Sequence, residues 1–192
     1  MEHFLADDGE KIYLKISGDG PPLVMLHGWT SSHQEWFPFI ADLQKHHTVY
    51  RWDARGHGGH RLQGNDQPTV SRMARDLHLL LKHFGLDDVC AVGHSMGALT
   101  LWQYVHDFGT TRLGKLCLID QSPRLVTDCD WPHGIYGDFD QTRAQRFVGE
   151  LELDFAESVL RLGALGLNER AREKYAENAR GWERSRAQLR AL

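Results

Sequence analysis

Val89-Cys90-Ala91-Val92-Gly93-His94-Ser95-Met96-Gly97-Ala98 is an apolar run that breaks into Gly-x-Ser-x-Gly and passes straight into a helix-length segment, Leu99 to Phe108. Strand, sharp turn and helix in that order give Gly-x-Ser-x-Gly its meaning. A serine at such an apex is held in a strained backbone conformation with its hydroxyl exposed. The flanking glycines are needed because a Cβ at either position would strike the neighbouring strand or helix. The helix that follows puts its positive end beneath the hydroxyl. Ser95 is therefore the candidate nucleophile, against the plainer alternative of a serine that only caps a helix.

Outward from this stretch, short runs rich in Val, Ile and Leu alternate with amphipathic segments of helix length, the pattern of a parallel sheet covered on both faces. Strands are expected at 2–6, 11–17, 22–27, 47–53, 88–94 and 114–120, and helices at about 33–44, 69–84 and 96–108. Asp7-Asp8-Gly9 between the first two strands reads as a hairpin turn, so the sheet should open with an antiparallel pair. Val70, Met73, Leu77, Leu80, Leu81 and Phe84 recur at helical spacing and give the second helix one apolar face, with Gly85 as its stop. The fold class is α/β, a mostly parallel sheet flanked by helices.

Beyond Pro123 the chain changes character. A loop rich in Asp, Trp, Pro and Gly leads into 139–192, which is Arg- and Glu-rich, free of strand-like runs and expected to be helical. Tyr175, Trp182 and Leu189 stand at seven-residue intervals on one face. Glu177 with Arg180 and Glu183 with Arg186 stand at i,i+3 on the wet side. The expected organisation is a core over 1–123 and a helical segment over 124–192.

The 192 residues are 41% hydrophobic and 25% charged with a formal net charge of -4, the composition of a soluble globular chain. At this length roughly 70% of the unfolded surface can be buried, so folding needs no cofactor, metal or disulfide. The charge balance and the lack of a basic stripe argue against nucleic acid as a partner. The N-terminus lacks a basic segment followed by an apolar one, and no run approaches the roughly 18 apolar residues of a membrane span. Cys90, Cys117 and Cys129 lack metal-ligand spacing, and the first two sit in apolar runs where a thiol is ordinary filler. The pairs His46-His47 and His57-x-x-His60 have no convergent Asp, Glu or Cys set, so no metal is expected. A reducing cytoplasm fits this cysteine usage.

Two further stretches carry chemistry. Leu23-Val24-Met25-Leu26-His27-Gly28-Trp29 is a buried-type strand ending in His-Gly and an aromatic residue. Acyl transfer needs two donors aimed at the developing oxyanion, and backbone N–H groups supply them without reorganisation; Trp29 and Met96 N–H are the candidates. Trp52-Asp53-Ala54-Arg55-Gly56-His57-Gly58 is a loop at the end of the next strand, with charges suited to bracing it.

With these three motifs in this order, the sequence resembles the α/β-hydrolase family, specifically the branch with His-Gly-aromatic, Asp-x-Arg-Gly-His-Gly and Gly-His-Ser-Met-Gly motifs. The resemblance covers 1–123 and implies a Ser95 nucleophile and an oxyanion hole at Trp29 and Met96. It also implies loops shaped by His27, Gly28, Asp53, Arg55 and Gly56, with His94 as the motif's own filler beside Ser95. It makes 124–192 the start of a helical cap. Asp120-Gln121-Ser122-Pro123 resembles the Asp-x-Ala/Ser-Pro stretch that closes strand six in small-acyl esterases of the family. The implied substrate is a small-molecule carboxylic ester; perhydrolysis, lactone opening and carbon-carbon cleavage share the same elbow. Epoxide hydrolases and haloalkane dehalogenases usually carry Asp where this chain has Ser95.

The family places its acid after strand seven and its base, a histidine, after strand eight. After Asp120 the sequence has one histidine, His133 in Trp131-Pro132-His133-Gly134, and no stretch that reads as those strands. The fold is thus expected to be C-terminally incomplete. Asp120 as acid and His133 as base are the substitutes the sequence offers, each with a plainer reading as a loop residue. A hydrolase lacking a triad member keeps about 10³ to 10⁴ over the uncatalysed rate. The competing expectation is a non-catalytic fragment that binds ligands or another chain. Leu116-Cys117-Leu118-Ile119 would then be an unprotected apolar edge, and the strand 114–120 a route to homo-oligomers.

Overall fold

The computed structural model describes residues 1–164, 173 and 181–190. The chain forms two compact units, Met1–Pro123 and Arg124–Leu192.

In the first unit six strands, β1 (Glu2–Leu5), β2 (Lys11–Ser17), β3 (Pro22–Leu26), β4 (Thr48–Asp53), β5 (Val89–His94) and β6 (Leu113–Ile119), form one sheet in the order β1-β2-β4-β3-β5-β6. β1, β2 and β4 pair antiparallel, and β4, β3, β5 and β6 pair parallel. The hairpin closes as the sequence implies: Gly9 turns the chain at φ +87°, and Ala6 N–H donates to Glu10 O at 2.8 Å. Three helices cover the two faces of this sheet: α1 (Phe37–Leu43), α2 (Val70–His83) and α3 (Met96–Phe108).

Strand alternation sorts the core into two clusters. Val24, Leu26, Trp52 and Ala91 pack with Leu77, Leu80 and Leu81 of α2 and Leu101 and Tyr104 of α3. Leu23, Met25 and Val49 point the other way and pack with Trp36 and Ile40. β3 is therefore apolar on both faces, as a strand inside a parallel sheet must be. Thr69 Oγ1 caps α2 by accepting from Arg72 N–H. The helix stops where Gly85, at φ +62°, lets Leu86 N–H reach Leu81 O at 2.8 Å and its own N–H reach Lys82 O at 3.2 Å, a Schellman closure.

The helix expected over 33–44 is two pieces, a 3-10 turn His33–Trp36 and then α1. Pro38 explains the break. It has no N–H to donate four residues back, so one α-helix cannot run through it, but it is tolerated at the start of a new one. Cys117, expected as apolar filler, is exposed, because among the described residues β6 is an edge strand with β5 as its neighbour. Leu116 and Ile119 are 40% and 38% exposed on the same strand.

The passage from β5 into α3 is tightly packed. A Cβ on Gly97 would lie 2.1 Å from Leu26 O, and one on Gly93 2.5 Å from Gly97 C. Both obstacles are backbone, so neither can swing aside. Gly97→Ala should therefore cost about 3 kcal/mol, the upper end of ordinary overpacking, read as a lower urea midpoint; a loss under 1 kcal/mol would mean that α3 can slide away from β3.

The second unit carries a 3-10 turn at Ile135–Gly137 and the helices α4 (Gln141–Leu153), α5 (Phe155–Ala164) and α6 (Gly181–Arg190). Among its described residues the strand-like feature is an isolated bridge, Asp128 to Trp131. Asp140 caps α4 through Arg143 N–H at 2.8 Å, and Ala156, Leu160 and Ala164 bury one face of α5. Arg186, expected to face water beside Glu183, instead pairs with Glu157 at 2.7 Å and ties α6 to α5. Trp182 and Leu189 are half-buried in α6; Tyr175, Glu177 and Arg180 lie outside the described residues.

Candidate active site

Ser95 stands between β5 and α3 with φ 49° and ψ −113°, a left-handed backbone that a residue with a Cβ adopts only under constraint. The constraint is visible. Its N–H donates to Ile119 O at 3.0 Å, and its carbonyl accepts from Ala98 and Leu99 N–H at 2.9 and 3.1 Å. Its side chain makes no capping bond to the helix, which sets aside the reading of Ser95 as a mere N-cap. The hydroxyl points away and donates to Gln121 Oε1 at 3.3 Å.

The turn after β3 lies directly against this elbow. A Cβ on Gly28 would be 2.9 Å from His94 Nδ1 and 3.4 Å from Ser95 Cβ, so only glycine lets the two segments approach. Glu35 fastens them: Oε2 accepts Gly28 N–H at 3.0 Å, and Oε1 accepts from His94 Nδ1 at 2.9 Å. The proton on His94 sits on Nδ1, since a carboxylate can only accept. Met96 is the first residue of α3, so its N–H has no acceptor within the helix. Trp29 follows Gly28 in the turn and is 38% exposed.

His27 is fully buried and structural. Nδ1 bonds Gly28 O at 2.8 Å while Nε2 accepts Ala54 N–H at 3.0 Å, which requires the neutral ring. Burial is the main force on its pKa and pushes it down to about 4, with the Gly28 carbonyl pulling back. Between that value and the ordinary 6.5 the unfolded chain binds a proton that the folded protein refuses, so stability rises with pH across this window. Acidification from 6.5 to 4 should cost about 3 kcal/mol through this residue alone. His27→Phe should cost about 1–3 kcal/mol at pH 8 by orphaning Ala54 N–H, and the gap to wild type should close as pH falls. A gap that stays constant from pH 8 to 4.5 in urea titrations would contradict this.

The Trp52–Gly58 loop is braced, as its charges suggest. Asp53 accepts His33 N–H at 2.6 Å and ring Nδ1 at 2.9 Å, and lies 3.3 Å from His60 Nε2. Gly58, at φ +67°, leaves the space that Asp53 fills. Arg55 is wholly buried between Asp76 and Asp8, and Gly56 turns the chain just beyond it at φ +72°.

Asp120, the substitute acid, lies in the same unit as Ser95 but makes no hydrogen bond with it among the described residues. Asp120 is exposed at the end of β6 with φ 49°. His133 belongs to the second unit, is exposed and stands edge-on to Trp131 with ring centroids 5.5 Å apart. Among the described residues the partner of Ser95 Oγ is the Gln121 amide, which has no basic lone pair to offer. Glu35 and Gln121 went unnoticed in the sequence: Glu35 falls in no motif, and Asp120-Gln121-Ser122-Pro123 reads as a strand terminus. Among the described residues, Asp128, Cys129 and Asp130 bring ligand atoms within 4.8 Å of one another. All three are exposed, and Asp128 already accepts from the N–H groups of Asp130 and Trp131. No described helix is long and apolar enough to cross a membrane.

A family model described as alpha/beta hydrolase fold matches residues 21–190. The chain is 34% identical over 131 residues to a non-heme haloperoxidase of Rhodococcus erythropolis, covering 68% of this chain and 47% of that protein. It is 33% identical over 121 residues to a soluble epoxide hydrolase of Corynebacterium sp. (62% and 41%). A pimeloyl-[acyl-carrier protein] methyl ester esterase of Xylella fastidiosa is 26% identical over 155 residues (80% and 56%). The chain thus spans about half the length of the curated relatives it matches. In fold it is similar to an esterase from Exiguobacterium antarcticum, with a TM-score of 0.72 at 22% identity, covering 98% of this chain and 72% of that one.

Proposed function

The chain belongs to the alpha/beta-hydrolase fold family, and on that premise we propose that it carries the nucleophile of a carboxylic-ester hydrolase. The observation that carries this is the Ser95 elbow, where backbone strain and two backbone-limited glycines serve no helix-capping purpose. Ser95 Oγ attacks the ester carbonyl, and its proton goes to the histidine that the family places after strand eight, a strand not among the described elements of this chain. The Trp29 and Met96 N–H groups hold the oxyanion as the tetrahedral intermediate forms. Expulsion of the alcohol, protonated by the same base, leaves an acyl-serine, and water then releases the acid. Gly28, His94 and Glu35 position the oxyanion turn against the elbow. Residues 124–192 are read as the helical cap segment of such a hydrolase. Ser95 favours this over the epoxide-opening reading, which in this family is usually built on Asp. A cytoplasmic setting belongs to the same reading and is supported by three free thiols.

One observation favours a second reading, a non-catalytic module that binds a ligand or a second copy of the chain: Ser95 Oγ donates to the Gln121 amide. The exposed edge of β6 would be its pairing surface. Turnover of p-nitrophenyl acetate and butyrate, with Ser95→Ala as control and sizing of the same sample, decides between them. Ser95-dependent turnover supports the hydrolase; no turnover from a dimer supports the module.

A further inference from the structure

We propose that the cleft between β2, β4 and the start of α1 is an oxyanion-binding site, built on Arg51 and Lys15 and taking a small organic carboxylate or a phosphate. Ser95 does not line this cleft, and the proposal does not rest on the hydrolase reading. Arg51 lines a cleft of about 650 Å³ together with Lys15, His33, Glu35 and Phe37. It is only 7% exposed, and its Nε is buried without an acceptor. No hydrogen bond or ion pair holds its guanidinium among the described residues.

A lone buried cation is expensive, and folded proteins pair it. The contrast lies four residues along the chain. Arg55 is buried still more deeply but is clasped by Asp76 and Asp8, which raise its pKa; Arg51 has no such partner among the described residues, and burial alone lowers its own. The nearby acids bond elsewhere rather than to Arg51, although Glu35 also lines the cleft. Asp53 holds His33, and Glu35 holds Gly28 N–H and His94. Register adds a second cation, because Lys15 stands directly opposite Arg51 across the β2–β4 ladder, where like charges repel. Two cations forced together around a cleft, one of them desolvated, are complementary to an anion that can accept from both. Phe37, 77% exposed on the rim, offers an apolar surface to an organic body carrying the charge.

The probes are benzoate, inorganic phosphate and the neutral isostere benzamide, titrated calorimetrically at fixed ionic strength into the whole chain and into Arg51→Met and Lys15→Gln. Arg51→Met should fold with an unchanged or higher Tm, since it removes an unpaired buried charge; Lys15→Gln changes an exposed residue and keeps the test valid if the first variant fails to fold. Saturable binding of benzoate but not benzamide, weakened about ten-fold or more in either variant, supports the site with an organic anion as its occupant. The same loss seen for phosphate alone supports it with an inorganic one. No saturable binding of either anion, or affinities that both variants leave unchanged, overturns it.

Discussion

Arg55→Met is expected to destabilise the first unit by about 3–5 kcal/mol, the cost of leaving a buried charge without its partner. Arg55 Nε and one terminal nitrogen bond the two oxygens of Asp76 at 2.6 and 2.7 Å, and both side chains are fully buried. Its other terminal nitrogen reaches Asp8 at 2.8 Å, while Arg72 adds a 3.0 Å bond to Asp76. Burial drives the Asp76 pKa up, and the guanidinium of Arg55 is the largest opposing influence. Without it Asp76 must bind a proton or sit charged in the core. Arg55→Met/Asp76→Leu should recover part of the loss, because removing both partners leaves less unsatisfied. Urea unfolding followed by circular dichroism reads both; a single-variant cost below about 1 kcal/mol would show that Arg72 alone neutralises Asp76.

Ser95→Ala is expected to remove the proposed Ser95-dependent ester turnover while leaving the protein's stability nearly unchanged. Nucleophile removal from a complete serine triad costs about 10⁶ in kcat. Where the hydroxyl meets Gln121 rather than a base, attack on an activated ester such as p-nitrophenyl acetate is slower, and so is attack of water on the acyl-serine. The acyl-enzyme should therefore accumulate. Alanine keeps the Cβ and hence the φ 49° strain, whereas Ser95→Gly should gain about 1 kcal/mol by relieving it. A Ser95→Gly variant less stable than wild type would mean that the elbow is not strained.

Much of this was legible in the sequence, for identifiable reasons. β3 is apolar on both faces, α2 shows one clean apolar stripe ending in Gly85, and the elbow needs its glycines at fixed offsets from Ser95. These are local or periodic signals. Glu35 is different: it reaches Gly28 and His94 only because the 3-10 turn before Pro38 swings it over the end of the sheet. Gln121 becomes the partner of Ser95 by the register of β6 beside β5, which aligns His94 with Ile119. Arg186 meets Glu157 across a helix pair rather than along one helix. Asp53 reads as a loop brace, but its two histidine partners come from different segments. Each is a long-range meeting that no spacing encodes.

The central claim is that Ser95 is an acylable nucleophile. It is tested most directly by incubating the protein with p-nitrophenyl acetate, measuring its intact mass and mapping any adduct by peptide fragmentation. The account predicts the mass gain of one acetyl group on the peptide that contains Ser95, absent from Ser95→Ala. An unmodified Ser95, with no adduct or with acetyl groups only on lysines or the exposed cysteines, would contradict it.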